Sequence, residues 1–279
     1  MVDIACFSII YPVDNGDMPA IEGELLDSET GTWAKIPAMN VNRSRHPSAV
    51  AIQQAGGHRI YMVGGGGEAE CILNSCEFID VGEDQWTLLE AKMTTARSRA
   101  CAILLDHTTI VICGGFEQID EISSCESLDL TTHTFSPFPS MMEPRGNHAG
   151  VHYRGTIVVL GGHHEQKTCE QFDPAVFKWT PFAPLEWGLL TRAAVVEDTI
   201  YAVDVRNCFV QVYDGTAWVI IGGLPLSYRW HGPVVALGGK VVVVAEHDPD
   251  AVVLDPANNS WSRLTVMSRP RIQLTAVSF

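Results

Sequence analysis

A chain of 279 residues, 46% hydrophobic and 18% charged, can bury a sizeable core as one large domain or two small ones, and is too apolar for a disordered tract. Its formal charge of −15 lacks the cationic footprint that general nucleic-acid binding needs, and favours solubility. Asp3 stands where the basic start of a secretory leader belongs, no apolar run reaches bilayer-spanning length, and the eight cysteines form no C-x-x-C pair or zinc-ligand spacing. The expectation is a cytoplasmic protein in a reduced compartment, with no membrane partner, no nucleic-acid partner, no metal and no cofactor.

In chain order, residues 1–10 read as the second strand of a four-stranded unit whose first strand does not precede them. An aromatic then marks the end of each unit, at Trp33, Trp86, Phe135, Trp179, Trp218 and Trp261. These recur at a period of about 40 to 50 residues. An Asp stands six residues before the aromatic at Asp27, Asp80, Asp129, Asp173 and Asp255, and four before it at Asp214. Cys76-Glu77, Cys125-Glu126 and Cys169-Glu170 fill one shared position, where the cysteine reads as a small apolar strand residue. A glycine pair closes the second strand at Gly64-Gly65, Gly114-Gly115 and Gly161-Gly162, and Val203-Asp204 and Ala245-Glu246 replace it in the last two units.

The third unit shows the internal plan. Residues 101–105, 110–113, 125–130 and 134–138 are short apolar runs separated by turn residues, the pattern of an antiparallel meander. No segment sustains a helical stripe. A small sheet must stack its faces on neighbours to be buried, so six such meanders predict an all-β, six-bladed propeller. Ile272 to Phe279 read as a first strand that would pair with residues 1–10 and close the ring. The predicted blades are 1–39 plus 272–279, 40–93, 94–141, 142–184, 185–225 and 226–271, a single domain over 1–279.

The glycine doublet, the Glu-x-x-Asp before an aromatic, and a Met followed four residues later by Arg together resemble the kelch repeat. The resemblance covers nearly the whole chain and is strongest in units two to four. It implies a kelch propeller closed by its C-terminal strand and acting as a recognition platform. In one branch of that family a BTB domain links the propeller to a cullin ubiquitin ligase. Nothing here looks like BTB, and the start inside a blade suggests either a kelch-only protein or a propeller taken from a longer one.

The linkers between units carry the candidate chemistry. Met39 leads to Arg43, Met93 to Arg97, Met141 to Arg145 and Met267 to Arg271, while Arg192 and Arg229 are placed in the remaining two links without the Met. Two positions further on stand Arg45, Arg99, Asn147, Ala194, His231 and Gln273. In kelch adaptors this face resembles a peptide-binding mouth whose arginines hold acidic side chains. Arginine suits that task because its planar fork pairs bidentately with carboxylate. The expected contacts with a protein or peptide partner are therefore Arg43, Arg45, Arg97, Arg99, Arg145, Asn147, Arg192, Arg229 and Arg271, with Tyr228 and Trp230 as apolar anchors. The competing reading is that the repeat arginines only tie blades together.

Glu68, Glu70, Glu117, Asp120, Glu121, Asp248 and Asp250 read as a solvated acidic rim. Adjacent His163-His164-Glu165 side chains do not converge on one ion, and Gly64 to Gly67 lacks the Lys and helix start of a phosphate loop. Two functions follow: a non-catalytic module that captures a short acidic or mixed-charge segment, as in a ubiquitin-ligase adaptor, or an enzyme. Kelch-type catalysts include sugar-acid mutarotases and copper radical oxidases. The tyrosines show no oxidase constellation by spacing, whereas a mutarotase needs only arginine and a few polar groups.

Overall fold

The second strand of each repeat is a near-continuous apolar run, such as Ile110-Val111-Ile112-Cys113 or Val241-Val242-Val243-Val244, and such runs form strands covered on both faces. The computed structural model describes residues 2–10, 20–27, 30, 32–43, 45–67, 71–163, 166–188, 190–225, 232–244, 250–265 and 272–278.

The chain opens with β1 (Val2–Ile10), β2 (Ala20–Asp27) and β3 (Thr32–Ile36). The next repeat is β4 (Ser48–Gln54), β5 (Gly57–Val63), β6 (Cys76–Asp80) and β7 (Thr87–Leu88). The third is β8 (Cys101–Asp106) and β9 (Thr109–Cys113), a small hairpin of β10 (Phe116–Glu117) and β11 (Asp120–Glu121), then β12 (Cys125–Asp129) and β13 (Thr134–Phe138). The fourth is β14 (Ala149–Tyr153), β15 (Thr156–Leu160), β16 (Cys169–Asp173) and β17 (Lys178–Phe182). The fifth is β18 (Thr191–Val196), β19 (Thr199–Asp204), β20 (Phe209–Tyr213) and β21 (Trp218–Gly223). The last is β22 (Val234–Leu237), β23 (Lys240–Val244), β24 (Asp250–Asp255) and β25 (Ser260–Thr265), followed by β26 (Ile272–Ser278).

Five four-stranded blades are built from the strands of a single repeat: β4-β5-β6-β7, β8-β9-β12-β13, β14 to β17, β18 to β21 and β22 to β25. The remaining four-stranded sheet is composite, in the order β26-β1-β2-β3, with Ala5 opposite Val277 and Phe7 opposite Thr275. Pairing is antiparallel throughout. No helix among the described residues is long and apolar enough to cross a membrane.

The core lies between blades. One cluster joins Val50, Tyr61 and Cys76 of the β4–β7 blade to Ile110, Ile112 and Leu128 of the next. Others join Val111 to Val159 and Phe172, Val158 to Ile200 and Trp218, and Val203 to Val241 and Val252. Ile110, Val111 and Ile112 are fully buried, and each such side chain contributes about 1.5–3 kcal/mol.

The aromatic that marks the repeat fastens one blade to the previous one. The indole N–H of Trp86 donates to Pro37 O at 2.8 Å, that of Trp179 to Pro139 O at 2.8 Å and that of Trp218 to Ala183 O at 2.9 Å. Phe135 holds the position without that bond. The repeat Asp folds the turn between the third and fourth strands. Asp129 Oδ1 accepts from the backbone N–H of Thr131 (2.8 Å) and Thr132 (2.7 Å), and those bonds hold its carboxyl below the usual range.

Candidate interaction face

Three of the linker arginines lie inside the protein. Arg43, Arg97 and Arg145 are 0%, 1% and 0% exposed, each facing the repeat glutamate of its own blade. Arg43 Nε donates to Glu77 Oε1 at 2.8 Å, and its Nη1 donates to Gly64 O and Ser75 O, both at 2.9 Å. Arg97 Nη2 donates to Glu126 Oε1 at 2.9 Å and Nη1 to Gly114 O at 2.9 Å. Arg145 Nη2 donates to Glu170 Oε1 at 2.9 Å and Nη1 to Gly161 O at 2.8 Å. Each glutamate also accepts backbone N–H groups from the start of the linker: Asn40 on Glu77 (2.8 Å), Thr94 on Glu126 (2.7 Å) and Met142 on Glu170.

The expectation that Arg43, Arg97 and Arg145 contact a partner is therefore corrected. Their fork of donors is engaged by a buried carboxylate and by carbonyls, and pulling one outward would leave an uncompensated buried charge, at about 3–5 kcal/mol. The glycine pair follows from the same knot. Gly64 sits at φ 60°, and a Cβ there would lie 2.3 Å from Arg97 O; at Gly114 (φ 60°) it would lie 2.5 Å from Arg145 O. The doublet lets the next linker cross directly over the strand end.

The fifth blade departs from this plan, and the strand register shows how. Glu77 pairs with Met62, Glu126 with Ile112 and Glu170 with Val159; the corresponding pair is Gln211 with Ala202. Arg192 pairs with Val203, as Ser48 does with Val63, Cys101 with Cys113 and Ala149 with Leu160. Arg192 is thus on the inner strand, and Gly188 takes the linker-arginine place. That corrects the sequence assignment of Arg192. Both charges of the buried pair are missing together, so neither is stranded. Gln211, fully buried, replaces them: its Oε1 accepts from the N–H of Glu186 (3.0 Å) and Trp187 (3.4 Å), and its Nε2 donates to Trp187 O.

The second set of linker residues surrounds an opening. His46, Arg99, Asn147 and Leu190 are register equivalents, all in the left-handed region at φ 46°, 54°, 55° and 55°. Arg99 N donates to His46 O at 3.1 Å, Asn147 N to Arg99 O at 3.0 Å, and Arg192 Nη1 to Asn147 O at 3.1 Å. The successive linkers that carry His46, Arg99, Asn147 and Arg192 are thereby stitched together. Arg45 falls one place earlier than the sequence alignment put it; its backbone pairs with Gly66, and its side chain is exposed.

Arg99 is half-buried, with Nη2 3.3 Å from His46 Nε2 and its guanidinium 5.7 Å from the centre of the Phe116 ring. Burial, and then the charges of Arg99, Arg192 and Arg45, push His46 down to about 3, so it is neutral and accepts from Arg99. A cleft of about 930 Å³ opens here, lined among others by Arg45, His46, Ile72, Arg99, Phe116 and Ile119. Ile119, at the tip of the β10–β11 hairpin, is 86% exposed. The hairpin is anchored by Glu121, whose Oε1 accepts from Gly146 N at 3.1 Å, while Glu117 and Asp120 are solvated. His148 meets Cys101, with Nε2 2.9 Å from Sγ.

Tyr228, Arg229, Trp230 and Arg271 lie outside the described residues, as do Glu68, Glu70, His164, Glu165 and Asp248. Sequence reasoning missed His46 as a member of this set, because the extra residue in its linker hides the equivalence. It also missed Phe116 and Ile119, because Phe116 takes the place that Gly66 holds in the preceding blade and the repeat spacing does not mark that position.

Comparison with known proteins matches the Kelch motif to residues 97–142 and 144–186. Human Kelch-like protein 34 is 27% identical over 224 residues, covering 74% of this chain and 34% of that protein. Rat Kelch-like protein 7 is 33% identical over 86 residues, covering 29% and 15%, and mouse Kelch domain-containing protein 8B is 25% identical over 158 residues, covering 53% and 43%. The chain thus spans about a third or less of the length of these Kelch-like proteins. The solved structure of YjhT superposes with a TM-score of 0.72 at 12% identity, covering 94% of this chain and 98% of that one, a likeness of fold alone.

Proposed function

Because the chain is a kelch-repeat β-propeller, we propose that it is a non-catalytic protein-interaction module that holds a short acidic or mixed-charge segment of a partner in the cleft beside Arg45 and Arg99. The observation that carries this reading is the clustering of Arg45, Arg99 and Arg192 around a histidine kept neutral, at the edge of an open cleft on a protein of charge −15. A carboxylate entering there meets the exposed Arg45 and the half-buried Arg99. The apolar wall of Ile72, Phe116 and Ile119 gives the segment something to pack on.

In this reading the ring has six blades over 1–279, the first made of 1–39 with 272–279. Support comes from β26 lying antiparallel to β1 and touching β4 on one side and β22 on the other. Within a longer protein, the module would serve as the substrate-recognition part of a cullin-type ubiquitin ligase adaptor. The Kelch-like relatives are similar to this chain over about a third or less of their own length.

The test is quantitative affinity capture with the wild-type chain and an Arg45→Ala/Arg99→Ala variant at low and high salt. A partner held specifically by the wild type is expected to be lost from the variant and weakened by salt. A partner retained equally by both proteins at both salt concentrations would refute the reading.

A further inference from the structure

The fifth blade presents an aromatic pair where the three preceding blades bury a polar knot. The place of Phe209 is taken elsewhere by Ser75, Ser124 or Thr168, whose hydroxyls meet the buried arginines at 3.0, 3.4 and 3.0 Å. The place of Trp187 is taken by Asn42, Ala96 or Pro144. With Gly188 in place of arginine and Gln211 in place of glutamate, nothing draws these side chains inward. A Cβ at Gly188 would lie 2.4 Å from Gln166 O, so the linker is pressed against the neighbouring loop and Trp187 stands on top.

Trp187 is 45% and Phe209 36% exposed, with ring centres 5.8 Å apart and planes 32° from parallel. Lys167 Nζ lies 5.5 Å from the Trp187 ring. Two bonds from Gln211 Oε1 and Nε2 hold the Trp187 backbone, so the indole is mounted on a rigid support. Both aromatics occupy the linker and the end of the second-to-third-strand loop, the same places that carry Arg45, Arg99 and the Phe116 hairpin in other blades. They therefore share the face of the cleft.

We infer that Trp187, Phe209 and Lys167 form a second subsite on this face, which takes an aromatic side chain of the bound peptide with an acidic group beside it. Exposed, pre-positioned Trp and Phe side chains are the composition of an interface anchor, and they lose little conformational freedom on binding. Lys167 supplies the cation for the neighbouring carboxylate. Glu186, exposed and next to Trp187 in the chain, disfavours a second acidic group beside it. This inference rests on the reading of the face as a peptide-binding surface.

A display library of random 12-residue peptides selected on the immobilised chain supplies the probe. Enriched peptides are expected to carry an aromatic within a few residues of Asp or Glu. For one such peptide, Trp187→Ala and Phe209→Ala should each weaken binding about tenfold. Replacing the peptide's aromatic by alanine should weaken it equally in wild type and cost nothing further in Trp187→Ala. Lys167→Glu should weaken it with the melting temperature unchanged. If Arg45→Ala/Arg99→Ala abolishes binding while Trp187→Ala and Phe209→Ala leave it intact, the subsite is wrong and the cleft reading stands. Selection of no peptide, or of peptides that none of these variants affects, overturns both.

Discussion

Removing Glu126 tests whether the buried ties hold the propeller together. Its carboxylate accepts from Arg97 Nη2 at 2.9 Å, Thr94 N at 2.7 Å and Thr95 N at 3.1 Å, at 5% exposure. Glu126→Ala leaves a guanidinium that is 1% exposed without its counter-charge, for which the expected loss is about 3–5 kcal/mol. The two backbone N–H groups lose their acceptor as well, at about 1–3 kcal/mol if they remain buried. A typical domain has about 5–15 kcal/mol in all, so the single change removes a large fraction of the stability. Arg97→Ala strands the carboxylate instead and is expected to cost a similar amount. The Arg97→Ala/Glu126→Ala double variant should lose less than the sum by at least about 2 kcal/mol, because it strands neither charge, as the fifth blade already does with Gly188 and Gln211. Urea unfolding with unchanged m-values reads all three. Single variants that each lose under about 1 kcal/mol, or a strictly additive double variant, would refute the tie.

Three further outcomes follow from the same packing. His46 is held at about 3 in the folded protein against an ordinary 6.5, so below pH 6.5 the unfolded chain binds the extra proton; stability should fall by about 1.4 kcal/mol between pH 7.5 and 5.5, and His46→Gln should remove that slope while a slope identical in both proteins contradicts it. Gly114→Ala places a methyl 2.5 Å from Arg145 O at φ 60°, for an expected loss of at least about 2 kcal/mol in urea unfolding, whereas Gly155→Ala, with no atom within 4 Å, shares only the backbone strain. Deleting 272–279 removes the strand paired with β1, so the melting temperature should drop sharply; an unchanged melt would dismiss the closure.

The fold was legible because one local structure recurs along the chain: a turn Asp, a marker aromatic and, in units two to four, a glycine doublet each have a single geometric task. The site was harder to read, for the same reason. A repeated arginine advertises itself as a surface array, yet Arg43, Arg97 and Arg145 repeat because three successive blades hold the same internal knot, and their partner is the Glu of the same motif. The productive signal was the irregular residue. Arg45 and Arg99 lie off the repeat position and line the cleft. Arg192 was misplaced by four residues because counting from the nearest arginine ignored the register that pairs it with Val203. Trp187 and Phe209 carried a signal that spacing alone could have raised, since Gly188 and Gln211 are missing the charges that units two to four carry at the same positions.

The face itself can be tested directly with a photo-reactive amino acid placed at either of two exposed positions. Ile119, 86% exposed, edges the cleft, whereas Val176, 65% exposed, sits in the turn between β16 and β17 at the opposite end of its blade. Irradiation in the presence of a captured partner or a selected peptide should give a covalent adduct through position 119 and none through 176. Adducts through 176 alone would place recognition on the other face and contradict the account.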